Sequence, residues 1–128
     1  MQPMTQLRVA AILGGLAVAL GAMGAHLMKG HYEAIDLERF EKAVRYQMYH
    51  ALALGLCGGL GLVGVRTRAA GVAFLLGIAL FSGSLYALVF THETTWGHVT
   101  PFGGLAFLVA WGLLASAHKP MPTNAITN

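Results

Sequence analysis

Apolar and polar positions divide the chain into four long apolar stretches and one amphipathic one. Residues 7–28 run almost unbroken, framed by Arg8 in front and Lys29-Gly30 behind. That matches the ~20 residues a helix needs to cross a bilayer core, and it predicts a first transmembrane helix. The small residues Gly21-Ala22-Met23-Gly24-Ala25 also fit a signal peptidase site, the competing reading of this segment. After a linker over 31–35, Leu37, Phe40, Ala43 and Val44 recur at helical spacing, with Glu38, Arg39, Glu41, Lys42 and Arg45 on the other side. This predicts an amphipathic helix over 36–45 with Asp36 as its N-cap. Glu38–Lys42 and Glu41–Arg45 are i,i+4 pairs with the acid first, worth roughly 0.2–0.5 kcal/mol each.

No Gly or Pro interrupts the chain from there to Gly55, so the amphipathic helix is expected to run straight into a second span over 46–65. Its first turns would then lie in the membrane interface or stand out of it. Arg66-Thr67-Arg68 forms a basic turn, and a third span follows over 70–90. Residues 91–98 read as a short polar loop. Thr100-Pro101 opens a fourth span, 99–118, because the missing N–H of a proline is harmless in a first helical turn. Residues 121–128 read as a loose polar tail. The expected fold class is all-α: one membrane domain over 1–128, an antiparallel four-helix bundle with an amphipathic extension of the second helix. Lipid offers no hydrogen bonds to the backbone, which leaves helices as the spanning elements, and short connections make consecutive helices antiparallel neighbours.

Composition agrees. Of 128 residues, 56% are apolar and 10% charged, against about 25% charged in soluble domains, which excludes a water-soluble globule. The net charge of +3 is spread along the chain, so no nucleic-acid footprint exists and the expected partner is the lipid bilayer. The single cysteine, Cys57, cannot form an internal disulfide. Small residues recur four apart at Ala17, Gly21 and Ala25, at Ala51, Gly55 and Gly59, at Ala69, Ala73 and Gly77, and at Ala106 and Ala110. Such stripes let helix backbones approach closely. They predict a compact bundle, with a larger membrane protein complex or a homo-oligomer as further partners. Lys and Arg near helix ends tie at four on each side: Arg8, Arg66, Arg68 and Lys119 against Lys29, Arg39, Lys42 and Arg45. The short loops break the tie, since one holds Arg66 and Arg68 and the other holds neither Lys nor Arg. Both termini are therefore expected on the cytoplasmic side.

Intramembrane polar residues collect on the side that holds the amphipathic stretch. His26 closes the first span, Tyr46, Gln47 and His50 open the second, Tyr86 lies near the exit of the third, and Thr100 opens the fourth; Ser82 and Ser84 sit nearer mid-span. Tyr46, Gln47 and His50 share one helix face. Three readings compete: an interhelical hydrogen-bond network, a pocket for a lipid headgroup, quinone or other small amphiphile, and a metal or haem site using His26 and His50 with His92, His98 or Glu93. No HxxxH or HExxH spacing supports the last, so no metal and no cofactor is expected. Ser82 and Ser84 lack an evident base, and no nucleophile elbow, P-loop or dinucleotide fingerprint occurs. No catalytic residues are assigned.

Four motifs come in a fixed order: Gly21-Ala22-Met23-Gly24-Ala25-His26, Tyr46-Gln47-Met48-Tyr49-His50-Ala51-Leu52, Phe81-Ser82-Gly83-Ser84-Leu85-Tyr86, and Thr100-Pro101-Phe102-Gly103-Gly104 with Trp111. Together they resemble the small integral-membrane family of unknown function that includes bacterial YgdD and YwdK and human transmembrane protein 256. Family members often carry Phe where Met23 stands and Gly where Leu27 stands. The resemblance implies a four-helix protein of the bacterial inner membrane and supplies no activity. The function expected is non-enzymatic: an accessory, assembly or scaffold subunit of a membrane complex, or a homo-oligomer. The alternative is a lipid-, quinone- or amphiphile-binding protein using the polar cluster.

Overall fold

A computed structural model describes residues 1–122; of the tail expected over 121–128, residues 123–128 lie outside the described residues. Helix α1 is Pro3–His26 and opens on a proline in its first turn, where no N–H is needed. Helix α2, Ala34–Leu62, is one unbroken rod of 29 residues, roughly 43 Å long. The third rod, α3, spans Arg68–Thr91. It is α-helical over Arg68–Gly77 and Gly83–Thr91, with a π-helical turn at Ile78–Ser82 between them. A short 3₁₀ turn, Thr94–His98, leads into α4, Thr100–Ala115, which has Pro101 in its first turn. No strand occurs among the described residues.

One local expectation changes. Helix α2 starts earlier than Asp36: its N-cap is Glu33, and Asp36 sits in the first turn. The Asp36 carboxylate, buried there, accepts a hydrogen bond from Arg39 (3.3 Å) and lies 3.7 Å from His92, a position also favoured by the helix dipole. The turn from α2 to α3 is built on Gly64 at φ +91°, a left-handed conformation that favours glycine. The Arg66 N–H donates to the His118 carbonyl (3.1 Å), tying this turn to the end of α4.

Helix α2 is the central element. It packs on α1 along one side and on α3 along another, and α4 closes against α3. Glycines bring α1 and α2 together in antiparallel register: Gly24 faces Phe40, Gly21 faces Val44, Gly14 faces Met48 and Gly55 faces Ala10. On the other side the Ser82 hydroxyl reaches the Ala43 carbonyl, and the ring of Phe74 lies 5.8 Å from that of His50. The main apolar core gathers Leu54, Cys57, Phe74, Ile78 and Phe107, and a second cluster surrounds Phe40, Met28 and Val89. Only part of each small-residue stripe packs: Ala17, Ala51, Gly77 and Ala110 are buried, while Ala25, Gly59 and Ala69 are exposed.

This register moves the amphipathic stretch. It was expected at or beyond the membrane edge, yet its residues lie beside Leu20, Met23 and Gly24 of α1 and beside Ser82, Tyr86, Val89 and Phe90 of α3. Helices α1 and α3, and the unit Thr94–Ala115, are long and apolar enough to cross a membrane; α2 is not. The reason is physical. The central helix carries Gln47 and His50, whose side chains reach other helices, and the charged residues Glu38, Glu41, Lys42 and Arg45, which pair along the helix itself.

The interhelical polar network as candidate functional site

Gln47 is the hinge of the network. It projects from the buried side of α2 because positions 40, 43, 47, 50, 51 and 54 share that face of the helix. Its Nε2 donates to the Leu13 carbonyl of α1 (2.8 Å), and its Oε1 accepts from the Tyr86 hydroxyl of α3 (2.7 Å). One amide thus joins three helices. The Tyr86 ring rests on Phe40, with centroids 5.3 Å apart.

One turn further along α2, His50 is almost buried, at 6% exposure. Its Nδ1 lies 2.7 Å from the Tyr46 carbonyl, and its Nε2 lies 3.2 Å from the indole Nε1 of Trp111 on α4. A carbonyl only accepts and an indole N–H only donates, so the pair assigns the neutral tautomer with its proton on Nδ1. The Nε2 lone pair is then occupied by Trp111. Phe107 stacks on the imidazole at 3.5 Å between centroids and 8° between planes, while Tyr46 stacks on Phe81 at 4.5 Å. This aromatic layer fastens α2 to α3 and α4.

The serines serve two further bonds. Ser82 Oγ, at the end of the π turn, donates to the Ala43 carbonyl (2.7 Å). Ser84 Oγ shares a hydrogen bond with Thr100 Oγ1 (2.6 Å) and donates to the Phe81 carbonyl (3.0 Å), linking α3 to the start of α4.

Seven of the eight predicted residues therefore engage between helices, Tyr46 through its ring on Phe81, while its carbonyl serves His50 within α2. His26 does not. It ends α1 exposed, with no side-chain hydrogen bond among the described residues. The seven bond in small groups: Gln47 with Tyr86, His50 with the Tyr46 carbonyl, Ser82 with the Ala43 carbonyl, and Ser84 with Thr100 at the start of α4. The prominent clefts open elsewhere, and none is lined by Gln47, His50, Ser82, Ser84, Tyr86 or Thr100. Among the described residues no three His, Cys, Asp or Glu side chains come within reach of one metal ion. His26, His50 and His92 stand apart, the last beside Asp36.

Two residues were missed from the sequence. Trp111 stands in the fourth motif with no role assigned to it, and only its i,i+4 spacing from Phe107 hints at a shared face. Gln6 precedes the first apolar stretch and belongs to no motif, yet it is 1% exposed and its Nε2 has no hydrogen-bond partner among the described residues.

The outer side of α2 is the polar network's opposite. Glu38, Glu41, Lys42 and Arg45 are exposed and ion-paired along the helix, Lys42 to Glu38 at 3.9 Å and Arg45 to Glu41. With Tyr46 and Tyr49 they line a shallow cleft of about 360 Å³.

A family described as "Protein of unknown function (DUF423)" matches residues 20–104. A UPF0382 membrane protein of Staphylococcus aureus is 43% identical over 111 residues, covering 83% of this chain and 91% of its own. A UPF0382 membrane protein of Staphylococcus haemolyticus is 42% identical, covering 80% of this chain and 88% of its own. The UPF0382 inner membrane protein YgdD of Escherichia coli is 39% identical over 112 residues, covering 82% of each chain. No solved structure matches. The chain belongs to this family of membrane proteins of unknown function.

Proposed function

We propose that this member of the DUF423 family is a non-enzymatic subunit of a bacterial inner-membrane assembly, seated with both termini on the cytoplasmic side and completed by a second copy of itself or by another membrane protein. One observation carries the reading: the exposed charged face of α2 lies at the depth of apolar helix. Glu38, Glu41, Lys42 and Arg45 run beside the apolar stretches of α1 and α3, with side chains between 51% and 67% exposed. Charged side chains at membrane depth are costly facing lipid and are found facing protein or water-filled space. A partner helix that covers this face resolves the conflict. Polar groups joining helices hold such contacts together in lipid, where apolar burial supplies no net drive.

The closed network supports a scaffold over the alternative of an amphiphile pocket at the polar cluster. The side-chain donors and acceptors of Gln47, Tyr86 and Trp111 are spent between helices, and these residues line none of the prominent clefts. The expected result of native mass spectrometry after gentle extraction is a complex, either homo-oligomeric or with a stoichiometric protein partner. Replacing Glu38, Glu41, Lys42 and Arg45 together by Gln should dissociate it while each chain keeps its helical fold. A bare monomer that is indifferent to these four substitutions would sink the proposal.

A further inference from the structure

At the far end of the bundle, the turn between α2 and α3 borders a cleft of about 410 Å³. Pro3, Gly61 and Val65 give it apolar walls, and Arg66 and Arg68 stand at its mouth. Both arginines are exposed and have no acidic partner among the described residues. The cause is the sorting of charge along the chain. Glu33, Asp36, Glu38, Glu41 and Glu93 all lie toward the opposite end, so Arg8, Arg66, Arg68 and Lys119 share this end with no carboxylate side chain.

The start of α3 opens on the same cleft, which Ala69 also lines. Thr67 holds the N-cap position but does not cap: its hydroxyl donates to the Cys57 carbonyl (2.7 Å). The first-turn N–H groups, at the positive end of the helix dipole, are left without a side-chain acceptor. The lining provides an independent sign. Gln6 is among the residues lining the cleft, is 1% exposed, and its Nε2, packed against Gly71, is a buried donor without an acceptor among the described residues. Such a group is costly unless something accepts its proton. Gly71 makes the position available, since a side chain there would collide with the Gln6 amide. Cations at the mouth and an unanswered donor in the lining call for an oxygen-rich anion.

We propose that this cleft binds the headgroup of an anionic phospholipid. The phosphate lies between Arg66, Arg68 and the first turn of α3, the Gln6 amide donates to a headgroup oxygen, and an acyl chain follows Pro3, Gly61 and Val65. The apolar walls favour a lipid over a free anion. So does the depth: Arg8 and Arg68 mark where the apolar stretches of α1 and α3 begin, which is the level of headgroups. Basic pockets between membrane helices commonly take anionic headgroups.

The test titrates the purified full chain in detergent with dioleoylphosphatidylglycerol and, separately, dioleoylphosphatidylcholine, read by native mass spectrometry and thermal unfolding. Wild type is expected to retain the anionic lipid selectively and to unfold at a higher temperature with it. Arg66→Gln/Arg68→Gln should weaken that binding by roughly thirtyfold, about fivefold for each cation. Gln6→Leu should reduce retention of the anionic lipid without lowering the unfolding temperature of the lipid-free chain. Arg8→Gln/Lys119→Gln removes equal charge from the same end but outside the cleft, and should bind as wild type does. Equal retention of the two lipids, equal loss in the control variant, or equal stabilisation by inorganic phosphate alone overturns the proposal.

Discussion

Gln47 spends both ends of its amide across helix interfaces, and the two ends differ in what their loss exposes. The Leu13 carbonyl belongs to a helix and keeps an intrahelical partner if Gln47 is removed, whereas the Tyr86 hydroxyl does not. Tyr86→Phe strands the Gln47 Oε1 and should cost about 1 kcal/mol, between the ~0.6 kcal/mol average for interhelical bonds in lipid and the 1–3 kcal/mol of a stranded buried group. Gln47→Leu strands the Tyr86 hydroxyl at a similar cost. The double variant strands neither, so it should be no less stable than either single one. Thermal or denaturant unfolding in detergent checks this cycle, and strict additivity of the two losses would show that the bond contributes nothing. His50 follows the same logic with rings: its proton sits on Nδ1 because the Tyr46 carbonyl demands a donor and the Trp111 indole an acceptor. The sequence made Tyr46, Gln47 and His50 legible as one face, because side-chain periodicity is local. It hid their partners. The Leu13 and Ala43 carbonyls are backbone groups that no residue type announces, and the lone donor of Gln6 lies just ahead of the first apolar stretch, outside every motif.

At the scale of elements, the π turn at Ile78–Ser82 governs how α4 docks. A π turn inserts one residue into the helical ladder and re-aims the side chains after it. Here it directs Ser82 to α2 and turns Phe81 onto Tyr46. Gly103 of α4 packs directly against the backbone of Phe81, so closely that any side chain would overlap main-chain atoms. Gly103→Ala should therefore cost about 1–3 kcal/mol, the range for overpacking against atoms that cannot move aside. Gly112→Ala, with open space around it, should be neutral or stabilising by up to about 1 kcal/mol through helix propensity. Comparing the unfolding temperatures of the two variants checks the contact, and a Gly103→Ala protein as stable as wild type would remove it. Apolar length marks the helices, since a span is a property of composition: the stretches 70–90 and 99–118 correspond to the helices Arg68–Thr91 and Thr100–Ala115. The π turn has no signature in hydropathy. The depth of α2 was equally hidden, because register between helices depends on where glycines meet side chains, as Gly24 meets Phe40.

Across the whole molecule, charge is sorted by end. Four basic side chains and no acid occupy the end with the α2–α3 turn, while five acids and the remaining four basic residues lie toward the other. The two halves carry +4 and −1, which sum to the net +3 of the chain. Basic residues near helix ends are retained on the cytoplasmic side, and acids weigh little in that balance. The plain tie of four against four therefore turns on placement. Arg66 and Arg68 sit in a short exposed turn at the bundle end, whereas Arg39, Lys42 and Arg45 lie along α2 beside its neighbours, and Arg39 is bound to the buried Asp36. The second group reads as part of an interface more than as a topological signal. This favours the proposed orientation, in which the proposed lipid cleft would face the inner leaflet. Cys57 is fully buried, so it leaves a quiet background for cysteine labelling. A cysteine at Ala69, exposed at the start of α3, should react with a membrane-impermeant maleimide only after the membrane is opened. One at Thr95, exposed in the 3₁₀ turn, should react from outside in intact cells. The opposite pattern would invert the protein and move the basic cleft to the outer leaflet.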